Sequence, residues 1–122
     1  MPRYRAAVAS IELTPSTVRI RLSRVEKVLG LLRDLEVPRS AITAAEAVPA
    51  GLPAVRGLRA PGLGLPGVRA VGTWRRRGEK AYVSVQRDQP AVRLSLTGQR
   101  FDSVLIGTDE AVGLAARLRP GG

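Results

Sequence analysis

Cysteine and histidine are both missing from this chain. Without thiols there is no disulfide framework and no thiolate nucleophile; without imidazole, His-assisted catalysis and the usual Cys/His zinc sites are excluded. Aromatic residues are scarce, with only Tyr4, Trp74, Tyr82 and Phe101, so each is expected to anchor packing. Lysine occurs only at Lys27 and Lys80, neither in a recognised Ser-Lys spacing. The acidic residues are scattered, which leaves no carboxylate dyad and no metal cluster to name. No enzymatic activity and no cofactor are expected. The apolar runs fall well short of the roughly 20 residues that span a bilayer, and Met1-Pro2-Arg3 leads into no signal-peptide core. A cytoplasmic protein without a transmembrane segment is expected.

What the chain does contain is Ala, Val, Leu and a large excess of positive charge. Its 122 residues suit one domain spanning 1–122, with one core. Twenty basic against ten acidic residues give +10, and eighteen of the twenty are Arg. The Arg fork matches phosphate oxygens, which points to phosphate-bearing partners. Arg, Ala, Gly and Pro also share GC-rich codons, and a GC-rich genome raises all four with no selection for binding. Composition leaves both readings open.

Periodicity predicts a mainly β fold. Arg5 to Leu13 and Thr17 to Leu22 read as a hairpin around Thr14-Pro15-Ser16, with Val18, Ile20 and Leu22 alternating against Arg19 and Arg21. Ser23 and Glu26 have capping-box spacing before a short helix with Val25, Val28, Leu29 and Leu32 on one face. Leu31 to Val37 reads as the end of that helix or, in the preferred reading, as a strand over about Arg33 to Val37, and Val37-Pro38 ends either one. Val68 to Arg75 and Lys80 to Gln86 flank a turn in which Gly78 supplies positive φ. Ala91 to Leu96 and Phe101 to Ile106 complete what reads as an antiparallel meander of four strands. Thr108 is placed to cap a final helix with Asp109 and Glu110 in its first turn, Arg117 and Arg119 in its last, and Ala111, Leu114, Ala115 and Leu118 as its apolar stripe. Between the halves, Gly and Pro recur so densely that a long loop is expected at about 49–67.

The runs Leu22-Ser23-Arg24-Val25-Glu26-Lys27, Val37-Pro38-Arg39-Ser40-Ala41-Ile42, Gly57-Leu58-Arg59-Ala60-Pro61-Gly62, Pro66-Gly67 and Gly72-Thr73-Trp74 resemble bacterial, mostly actinobacterial, pleckstrin-homology-like (PH-like) domain proteins. The resemblance covers nearly the whole chain and contains no catalytic signature. It implies an α+β, mainly β protein: an antiparallel barrel or sandwich of about seven strands capped by the C-terminal helix. It also makes Ala41 to Val48 a strand, where Ala-rich composition alone favours helix. The class is used to bind lipid head groups, peptides or other subunits.

One candidate surface follows. Between Glu46 and Glu79 there are six Arg and no acid, and Arg56, Arg59, Arg69, Arg75, Arg76 and Arg77 with Trp74 make a candidate rim for a phosphate or anionic-lipid ligand. The other reading has these Arg residues solvated and Trp74 in the core. Gly62-x-Gly64-x-x-Gly67 matches the dinucleotide fingerprint only in letters, because Pro66 sits inside it and a strand follows where a helix is needed. The aromatics do not interleave with Arg, so no specific nucleic-acid binding is expected. The function expected is a non-enzymatic binding or assembly module with a protein partner, a second copy included. The alternative is a peripheral binder of anionic ligands or a membrane surface through the rim.

Overall fold

Period-two burial gives most of the chain to strands. The computed structural model describes residues 3–5, 9–22, 34–49, 58–65, 69–76, 78–86 and 89–120. Strands β1 (Arg3–Arg5), β2 (Ala9–Leu13), β3 (Thr17–Leu22) and β4 (Leu35–Pro38) form an antiparallel sheet in chain order. Ile11, Leu13, Val18, Ile20 and Val37 are buried. At the β2–β3 turn the Thr14 amide donates to the Thr17 carbonyl at 3.0 Å, and the Thr14 hydroxyl accepts the Thr17 amide at 2.8 Å. The single strand expected from Arg5 to Leu13 is instead divided, with Arg5 folded back opposite Ser10. The helix expected from Ser23 lies outside the described residues.

A 3-10 turn at Arg39–Ala41 carries the chain into the second sheet. That sheet holds β5 (Ile42–Val48), β6 (Leu58–Leu65), β7 (Arg69–Arg76), β8 (Glu79–Gln86), β9 (Ala91–Leu96) and β10 (Ser103–Gly107), in the order β5-β9-β10-β8-β7-β6. The Ala-rich segment is a strand, because six of its residues pair with β9 and tertiary pairing overrides helix propensity. Where its register slips between Ile42 and Ala44, the Thr43 hydroxyl donates to the Ser95 carbonyl. Gly78, at φ 81°, makes the β7–β8 turn as expected.

Three expectations need correction. The last four strands are not a meander: β10 sits between β9 and β8 and runs parallel to β8. Val104 and Ile106 are buried in one cluster and Leu105 in another, and a strand buried on both faces belongs at the centre of a sheet. The long loop at 49–67 is also revised, since Leu58–Leu65 pair with β7. Pro61 falls where that register slips, between Arg59 and Gly62, and the strand is the last in its sheet. Those are the two settings in which a strand tolerates proline. Finally, the described residues form ten strands in two sheets of four and six with no closed barrel, where a barrel or sandwich of about seven strands was expected. A divided first strand and the added β6 raise the eight strand segments named from the sequence to ten.

Helix α1 (Ala111–Leu118) rests on β5 and β9 and buries Ala111, Leu114, Ala115 and Leu118, the stripe read from the sequence. Asp109 and Glu110 precede the helix instead of filling its first turn. The Thr108 hydroxyl accepts the Glu110 amide at 3.2 Å. One hydrophobic cluster joins both sheets and α1, from Ile11 and Val37 through Tyr82 and Leu94 to Leu118.

A second constraint lies at the end of β10. A Cβ on Gly107 would come within 2.4 Å of Gln89 Oε1, with the Val85 backbone at an ordinary 3.4 Å, and among the described residues that buried oxygen has no hydrogen-bond partner. Because the clash is with the end of the Gln89 side chain, which can turn aside, Gly107→Ala is expected to cost no more than the low end, about 1 kcal/mol, of what overpacking takes. Gly107→Ala with Gln89→Ala should cost less than the sum of the single changes in a denaturant-melt cycle. Leu114→Ala, on the buried face of α1, should lose about 2–5 kcal/mol, whereas Val112→Ala, 77% exposed, should stay within about 0.5 kcal/mol. Equal losses at these two positions would contradict the packing of α1.

Candidate functional site

Charge on the sheets is mostly matched across strands. Arg19 faces Glu36 in register, with Nε 3.2 Å from Oε2, and Arg93 faces Glu46 at 3.1 Å. Arg21 reaches diagonally to Glu12 at 3.6 Å. Opposite charges at cross-strand positions stabilise a sheet, and like charges directly opposite destabilise it. One pair breaks the pattern: Arg75 on β7 lies directly opposite Lys80 on β8.

A third cation joins that pair. Lys80 Nζ lies 5.3 Å from the centre of the Phe101 ring, and the Arg100 guanidinium carbon lies 5.7 Å from the same centre. Both distances are within cation–π range. The ring is buried and meets Tyr82 edge to face at 5.3 Å and 84°. Asp102 fixes the arrangement through the main chain. Its carboxylate accepts the Lys80 amide at 2.7 Å, and its own amide donates to the Lys80 carbonyl, also at 2.7 Å. Arg75 and Arg100 are exposed and Lys80 is half-buried. None of the three forms an ion pair with a described residue. The corner is thus a cationic cluster on a buried aromatic base, with Asp102 and Glu79 as the nearby acids in the chain.

Among the described residues, the rim read from the sequence is not all brought to one place. Trp74 is buried with Val83, Val85, Ala91 and Leu105, while Arg75 beside it is exposed. Successive strand residues point to opposite faces, so the indole does not share a surface with Arg75. Arg69 lies opposite Gln86 at the other end of β7, six residues and roughly 20 Å from Arg75. Arg59 lies opposite Trp74 and Arg76 opposite Glu79 in register. Arg56 and Arg77 lie outside the described residues. Gly62 and Gly64 belong to β6 and open no helix.

Lys80 and Arg100 were missed by sequence reasoning. The hairpin around Gly78 places Lys80 opposite Arg75 by counting alone. Arg100 depends on β10 lying beside β8, which no local pattern reveals.

No family model matches the chain, and no curated protein or solved structure matches it either. Among the described residues no helix is long and apolar enough to cross a membrane.

The Arg75–Lys80 opposition carries a stability consequence. Arg75→Glu is expected to raise stability by about 0.2–1 kcal/mol, the range for opposite-charge cross-strand pairs. Most of that gain should vanish in concentrated salt. Thermal melts at low and high ionic strength would show it, and a gain independent of salt would point to some other cause.

Proposed function

We propose that the chain is a PH-like, non-enzymatic binding or assembly module that takes a protein partner, a second copy included, by strand addition along β6. The observation that supports this reading is the contrast between the two ends of the six-stranded sheet. At one end α1 rests on β5, and Arg119 Nε donates to the Ala45 carbonyl at 3.3 Å. At the other end β6 is eight residues long, contains no acid and one Arg, and pairs on one side only among the described residues. A strand of this length paired on one side only offers main-chain donors and acceptors to a second chain, and alternate side chains supply selectivity. The four-stranded sheet is a poorer template, since β4 is only four residues long, carries Glu36 and ends at Pro38.

Light scattering across a concentration series tests self-assembly directly, with mass rising toward a dimer as the expected result. A proline pair then locates the interface. Leu63 and Gly64 are consecutive in β6, so their amides point to opposite sides of the strand. One of the two proline variants should keep its fold and lose association, while the other loses its bond to β7 and is destabilised. A monomer at every concentration would remove self-assembly, leaving a different protein as the partner. Association unchanged in both variants would remove β6.

A further inference from the structure

We propose that the corner formed by Arg75, Lys80 and Arg100 over Phe101 is a binding site for a phosphate monoester group. The site stands independently of strand addition along β6. The fold spends structure on keeping these cations together. Arg75 and Lys80 are held opposite each other by β7–β8 pairing, and Asp102 locks the Lys80 main chain to the segment that carries Arg100. Phe101, seated on Tyr82, presents the surface over which two of the three charges lie. The mutual repulsion of three cations that form no ion pair among the described residues is relieved when an anion enters, so binding gains from a clash that the protein alone carries.

The charge and shape of the cluster select the anion. A carboxylate brings one charge and two oxygens, too few for three separate cationic groups. A phosphate monoester carries between one and two negative charges near neutral pH and three terminal oxygens. Two Arg forks and one Lys ammonium supply matching donors, the forks for paired contacts and the ammonium as a point charge. The buried ring excludes water from one side, which strengthens each charged contact. The phosphate can belong to a soluble molecule or to a lipid head group, since the recognising chemistry is shared.

The test uses the whole chain labelled with nitrogen-15. Inorganic phosphate is titrated at constant ionic strength against chloride while the amides of Lys80, Phe101 and Asp102 are followed. In parallel, the protein is sedimented with phosphatidylcholine vesicles with and without phosphatidic acid. Saturable shifts with phosphate identify a soluble phosphate, and sedimentation confined to phosphatidic acid vesicles identifies a head group; either supports the site. Lys80→Gln and Arg100→Gln should each weaken the binding about tenfold, the loss expected for one charge-assisted contact. Arg117→Gln, on exposed α1 surface, should leave it unchanged. The unshifted remainder of the amide spectrum shows that each variant is folded. Neither shifts nor sedimentation, or binding that survives both Lys80→Gln and Arg100→Gln, would overturn the proposal.

Discussion

The burial of β10 on both faces is the constraint on which the rest of the structure depends. Val104 and Ile106 enter the large core, and Leu105 enters the cluster around Trp74. A strand with apolar side chains on both faces is stable only where other layers cover each of them. It therefore lies between β9 and β8. Two consequences follow at its ends. Beyond Gly107 the chain reaches Thr108, whose amide donates to the Pro90 carbonyl, and α1 begins over the sheet. Before Ser103, Phe101 and Asp102 are brought against Tyr82 and Lys80. The covering helix and the cationic corner both result from one strand insertion.

Around that centre the ends of the sheets are treated unequally. Arg39 ties three distant segments together. Its amide donates to the Ser16 carbonyl at 2.8 Å, and its guanidinium reaches the carbonyls of Thr14 and Arg117. The hairpin of the first sheet, the corner between sheets and the last turn of α1 are joined by that one residue. The Ala45 carbonyl on β5 is occupied by Arg119. Nothing comparable is present on β6 among the described residues, and a long strand that pairs on one side is a template for another chain.

Much of the fold was legible because its rules are local. Val18 and Ile20 on β3, Val92 and Leu94 on β9, and Ala111, Leu114, Ala115 and Leu118 on α1 occupy the buried faces that period two and period 3.6 require. Gly78 marks its turn by the conformation that only glycine adopts freely. The misread parts were those in which a distant partner decides. The Gly and Pro of Leu58–Leu65 look like loop until β7 supplies hydrogen bonds and a register slip accommodates Pro61. The place of β10 beside β8 involves no neighbouring turn at all. The candidate site suffered for the same reason. Clustering Arg residues along the chain grouped Arg69 with Arg75, which a single strand keeps far apart, and joined Trp74 to a surface from which strand alternation removes it. Arg100 was passed over because its nearness to Lys80 is made by the sheet.

The two proposed surfaces meet at β7, and the backbone there keeps them separate. Leu58, at the start of β6, lies opposite Arg75 of the cationic corner, whereas Gly62 to Leu65 lie opposite Gly72 to Arg69. Between these stretches the register slips, and at the far side of the slip Gly72 faces Gly62 on β6 and Val83 on β8. Gly72 has φ 146°, a conformation that residues with a Cβ rarely adopt. A bulge leaves a residue unpaired and increases local twist, so the two halves of β6 are not one straight ladder. A chain added along Gly62 to Leu65 does not have to continue past Arg59 into the corner. An anion at Arg75, Lys80 and Arg100 is held by side chains at the turn end of β7 and β8. The irregularity at Pro61 and Gly72 is thus what allows one sheet to offer a main-chain edge and a charged corner without either obstructing the other.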